Sequence, residues 1–144
     1  MVSEVGVRAE ALPLLLTLSS GVQGFTTIHA GSARQALTRL RFICQLAETG
    51  SDLGPAALSA LVSEAVDVVV HCARSAGGRV AVTEVLAVED LQVGAGSVAF
   101  TTTSVFARGR LDGPLRPTGH LPVRAARPLE LAGHDVAALT SGWS

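Results

Sequence analysis

The chain has no lysine: all 11 of its basic residues are arginine. It therefore has no G-x-x-x-x-G-K-[ST] loop, and no segment sets an ammonium group against the β- and γ-phosphates of a nucleotide. Asparagine and tyrosine are also missing, while alanine, valine, glycine, leucine and arginine abound, a bias attributed to a GC-rich coding sequence rather than to function. Charge is scarce. Only 16% of the 144 residues are charged and the formal net charge is -1, which leaves no electrostatic case for nucleic acid or a membrane surface as partner. Long apolar runs are lacking too. Residues 12–18 fall short of the roughly 18–20 residues that cross a bilayer, and no basic n-region accompanies them, so a core helix is expected there rather than an anchor. The two cysteines, Cys44 and Cys72, are expected to be buried free thiols. The four histidines form no H-x-x-x-H pattern and there is no C-x-x-C, so no metal site is expected.

What is present is apolar side chain, 48% of the residues, enough for one core at this length. Charge is uneven along the chain. Residues 51–106 hold six acids against two arginines, and residues 107–144 hold five arginines against three acids, a mildly basic end suited to an acidic surface.

Apolar spacing predicts a helix over residues 9–20 that buries Leu12, Leu15 and Leu16, with Pro13 tolerated in its first turn and Ser19-Ser20-Gly21 ending it. A strand is expected over 25–30. A helix over 33–48 follows, with Leu37, Leu40, Cys44 and Ala47 on one face and Ser32 as its N-cap. Residues 50–55 break the chain, and Pro55 opens a helix over 55–66 that buries Leu58, Leu61, Val62 and Ala65. Residues 66–72 are nearly all apolar, as in a strand covered on both faces. A turn at 74–78 separates them from a long strand marked by Val80, Val82, Val85 and Val88, and a further strand is expected over 98–108. From Gly109 onward, four prolines and five glycines predict an extended, surface-hugging tail with one short helix around 129–132.

Residues 24–40, GFTTIHAGSARQALTRL, set a strand, an embedded histidine and a capped helix in direct succession. That is where α/β proteins present groups to a phosphate. The segment resembles the His box and following helix of the secretion ATPases of type II, type IV and tight-adherence pilus systems, a P-loop NTPase family, in which it reads close to S-x-T-T-I-H-A-N-S-A-R-x-A-L-x-R-L. The resemblance extends along the chain. Glu10-Ala11-Leu12 resembles the opening of the helix after the Walker B motif, and Val66-Asp67-Val68-Val69-Val70-His71 resembles a strand reading A-V-D-L-I-V-H. Val82-Thr83-Glu84-Val85 resembles V-T-E-V, and Arg116-Pro117-Thr118-Gly119 a terminal R-P-T-G. Gly31 stands where the family has asparagine, the loop at 21–24 lacks a common histidine, and one extra residue separates Glu4 from Glu10.

The resemblance implies an α/β fold, the C-terminal half of a RecA-like P-loop domain over residues 1–108, followed by the tail at 109–144. It implies ATP hydrolysis, with ATP and Mg²⁺ as cofactors, in a ring, usually a hexamer, that drives protein export or pilus assembly. Its partners are further copies or full-length secretion ATPase subunits at the inner-membrane machinery, with the chain cytoplasmic or peripheral to that membrane and no nucleic acid involved. Without the Walker A loop, the chain is not expected to catalyse hydrolysis alone. The alternatives are a non-catalytic remnant or an interaction module bound to a full-length ATPase, and a reading frame whose true start lies upstream. By the same resemblance His29 senses the γ-phosphate, Glu10 takes a catalytic role, and Arg34 and Arg39 bind phosphate or a neighbouring subunit. Each has a plainer reading: a strand histidine bonded to a carbonyl, a helix-dipole acid, and a solvated arginine face. Glu84 and Asp67 are expected to be structural.

Overall fold

The computed structural model describes residues 2–4, 8–47, 53–94 and 97–141. In chain order its elements are β1 (Val2–Glu4), α1 (Arg8–Ser19), β2 (Phe25–Thr27), α2 (Ala33–Ala47), α3 (Pro55–Ala65), β3 (Val68–Arg74) and β4 (Val80–Val88). They continue with β5 (Gln92–Gly94), β6 (Ser97–Ala99), β7 (Thr102–Ala107), β8 (Arg116–Pro117), α4 (Val123–Leu131) and α5 (Val136–Thr140). The fold is mixed α/β. The chain divides into two compact units, one of residues 1–66 and 90–100, the other of 67–89 and 101–144.

In the first unit β1 and β2 run parallel, with Glu4 opposite Thr27, and α1 makes the connection between them. Helices α1, α2 and α3 pack on one another. Their core comprises Ala11, Leu14 and Leu15 of α1, Ala33, Ala36, Leu37, Leu40 and Cys44 of α2, and Leu58 and Val62 of α3. The expected face of α2 is thus present. That of α1 is rotated, because Leu14 is buried while Leu16 is 53% exposed. The helix also starts at Arg8, so Pro13 lies in its second turn rather than its first. Helix α3 buries Ser59 and Ser63 beside Leu58 and Val62, and leaves Leu61 and Ala65 half-buried. Ser59 tolerates burial because its hydroxyl donates to the Pro55 carbonyl (2.9 Å) and accepts from Arg41 Nη1 (3.4 Å). The expected break at 50–55 lies partly outside the described residues.

In the second unit the strand order is β3-β4-β7-β8, all antiparallel. Strand β3 corrects the expectation of burial on both faces: it is an edge strand whose residues alternate between exposed and half-buried. Cys72 is exposed with it, and Cys44 alone of the two cysteines is buried. Residues 98–108 are not one strand either. The chain changes partner between β6, which pairs with β5, and β7, which pairs with β4, and at the change Glu89 N–H bonds the Thr101 carbonyl (2.8 Å).

The expectation of an extended tail is overturned. Residues 109–141 lie in the same compact unit as β3 and β4, and they contain β8, α4 and α5. Arg108 holds the segment at its start: Nε donates to the Val82 carbonyl (2.9 Å) and Nη1 to that of Gly113. Thr118 then donates through its N–H to the Val105 carbonyl (2.9 Å) and through its hydroxyl to that of Ser104 (2.5 Å), which accounts physically for the R-P-T-G segment. Helix α4 runs six residues earlier than expected at its start and ends in a Schellman turn. There Gly133 has φ +88°, and the N–H groups of His134 and Gly133 bond the carbonyls of Leu129 (3.0 Å) and Glu130 (2.9 Å).

Candidate functional site

The parallel β1–α1–β2 arrangement puts the start of α1 and the start of α2 at the same, carboxyl end of the strand pair. Ligands of open α/β sheets bind at such ends. Strand β2 is shorter than expected and stops at Thr27, so Ile28 to Ser32 form the junction to α2 and His29 is an exposed junction residue rather than a strand residue. Ser32 caps the helix as expected. Its hydroxyl accepts from Gln35 N–H (3.2 Å) and its carbonyl from Ala36 N–H (3.0 Å). A Cβ at Gly31 would stand 2.6 Å from Gln35 Oε1, so glycine leaves room for that side chain to fold back over the junction.

Arg34 is the second helical residue of α2, and its Nη1 donates to the Phe100 carbonyl (3.4 Å). Arg39 is exposed and lies about 7.5 Å further along the axis at 1.5 Å per residue. Glu10 is exposed in the first turn of α1, where a carboxylate complements the helix dipole. Topology thus brings Glu10, His29 and Arg34 to one end of the parallel pair and leaves Arg39 away from it. The donors there suit one side of a phosphate: an imidazole, a guanidinium and a helix N-terminus. Among the described residues no three His, Cys, Asp or Glu side chains converge.

The second unit holds polar residues that sequence reasoning passed over. Glu89 is buried at 7% exposure, and its two carboxylate oxygens accept from the N–H groups of Val123 (3.0 Å) and Arg124 (2.9 Å) at the start of α4. Burial raises its pKa. The bonds from Arg124, Val123 and the Thr103 side chain, together with the Arg124 charge, outweigh that and hold the carboxyl below its ordinary value. Arg124 also bonds Asp67 (3.2 Å). Glu84 accepts from the Ser104 hydroxyl (3.0 Å), and its cross-strand neighbour His71 bonds the Thr83 hydroxyl through Nδ1 (2.6 Å). The signal for Glu89 in the sequence was an acid directly after the apolar run of β4, with Pro122 opening a helix elsewhere; nothing local joins the two.

No family model matches the chain, and no curated protein matches it. Among the described residues no helix is long and apolar enough to cross a membrane.

Proposed function

We propose that the chain is the part of a secretion-type ATPase that follows the Walker B strand in a RecA-like domain. In this reading its β2–α2 junction contributes to a nucleotide site completed by a polypeptide that carries the phosphate-binding loop. The observation that carries the reading is the parallel β1–α1–β2–α2 succession, with Thr26-Thr27-Ile28-His29-Ala30 and a capped helix at the carboxyl end of the strands. His29 faces the terminal phosphate and Arg34 pairs with its oxygens. ATP and Mg²⁺ are held chiefly by the loop-bearing subunit, since the phosphate charge needs a lysine-bearing loop that these residues do not supply. The setting is a ring, such as a hexamer, at the cytoplasmic side of an inner-membrane export or pilus-assembly machine.

A second reading, a non-catalytic module that binds a full-length secretion ATPase, draws on the missing lysine. Both are tested by co-purification with such an ATPase in the presence and absence of ATP. Arg34 and Arg39 are five positions apart and point about 140° apart on an ideal helix, so they cannot serve one phosphate together. Arg34→Ala is expected to weaken ATP-dependent association and Arg39→Ala to leave it unchanged. Equal, negligible effects of both would make these arginines a solvated face and remove the site.

A further inference from the structure

We propose that β3 pairs antiparallel with β3 of a second copy, centred on His71, to join two four-stranded sheets into one of eight strands. Strand β3 is the first strand in the order β3-β4-β7-β8, and no other strand among the described residues lies along its outer edge. Its seven residues contain no proline, and the one arginine among them, Arg74, stands at the strand's end, so neither proline nor a central charge blunts this edge. The ladder irregularity near its middle leaves Thr83 of β4 as the extra residue, since His71 faces Glu84 and Cys72 faces Val82, so β3 itself is not bulged.

Backbone direction sets the register. The Asp67 carbonyl accepts from Val88 N–H (2.9 Å) and Ser75 N–H donates to the Arg79 carbonyl (2.8 Å), so the odd-numbered residues turn toward β4. The N–H and C=O groups of Val68, Val70, Cys72 and Arg74 therefore turn outward. In an antiparallel pair, outward residues must meet outward residues. Centring on His71 opposes Val70 to Cys72 and Val68 to Arg74 of the second copy, and uses all four on each chain. Centring on Val70 would oppose Arg74 to Val66, whose N–H already bonds the Val62 carbonyl (3.1 Å). Centring on Cys72 would oppose Val68 to Ala76, in the turn.

The occupant is a second copy for two reasons. The chosen register joins the exposed apolar side chains Val68 and Val70, 44% and 55% exposed, to the same stripe of the other chain. It also keeps the two Arg74 side chains at opposite ends. The other edge of this sheet, β8, has two residues, one of them proline, and cannot template a strand. Pairing is therefore isologous and closes at a dimer instead of running on as a filament.

The test uses the full chain carrying Val70→Cys, oxidised mildly and resolved without reductant. Opposed residues of a hydrogen-bonded pair stand about 5.5 Å apart at Cα, within disulfide reach, so the introduced thiol meets Cys72 of the second copy. Val68→Cys, opposite Arg74, cross-links at least roughly tenfold more slowly, since its nearest thiol is a diagonal neighbour. Cys44 is fully buried and does not compete. The unmodified chain sediments as a dimer, and Val70→Lys sediments as a monomer that still melts cooperatively. A monomeric unmodified chain, equal cross-linking of the two cysteine variants, or faster cross-linking of Val68→Cys overturns the pairing. If Val70→Lys fails to fold, the cysteine variants still decide.

Discussion

Glu89 and Asp67 show how differently two carboxylates can matter. Asp67 meets Arg124 at 3.2 Å, but its own side chain is 77% exposed, so the pair contributes at most about 1 kcal/mol. Glu89 is buried and takes two backbone N–H groups that would otherwise be unmet at the start of α4. Charge-assisted bonds of this kind are worth roughly 1.5–3 kcal/mol when broken. Because the folded pKa of Glu89 lies below its ordinary 4.5, the stabilisation is fully present above the unfolded value and is lost as pH falls through the folded one. Glu89→Gln is expected to lower unfolding free energy by about 2 kcal/mol at neutral pH and to flatten its decline below about pH 4.5, as read by urea titration across pH. An unchanged acid limb would assign that decline to other groups. The residue was illegible in the sequence because its partners lie 34 and 35 positions away. Ser32 was legible because its partner is three positions away.

The same contrast holds for whole elements. Helices α1, α2 and α3 could be read from apolar spacing, since a 3.6-residue period identifies a helix whatever it packs on. Strand β3 could be located but not its covering, because an uninterrupted run of valines fits an edge as well as a sheet centre and only the neighbouring strands decide. Helix α4 was missed over most of its length: Pro128 reads as a breaker, whereas Glu89 holds the helix start from a distant strand. Pro13 presents the reverse case, a proline in the second turn of α1 that leaves the Ala9 carbonyl without its helical donor. Pro13→Ala should stabilise the chain by about 2 kcal/mol, roughly 3 from restored helix propensity less up to about 1 from a freer unfolded chain. Chemical denaturation checks this, and a loss of stability would show that the ring packs usefully where it stands.

For the molecule as a whole, the His29 junction was legible as a motif, and its placement at the end of a parallel strand pair adds the geometry that a phosphate-facing group needs. The missing lysine limits what that junction does alone. Positioning and charge stabilisation supply most of phosphoryl-transfer catalysis, and in the proposed function His29 with Arg34 would provide only one side of it. The most direct measurement of the account is therefore ATP turnover, with Mg²⁺, of the purified chain, of a polypeptide bearing a secretion-ATPase phosphate-binding loop, and of the two mixed. The prediction is turnover no faster than buffer for the chain alone, and turnover in the mixture that disappears when the chain carries His29→Ala. Turnover by the chain alone, or a mixture indifferent to His29→Ala, would contradict it.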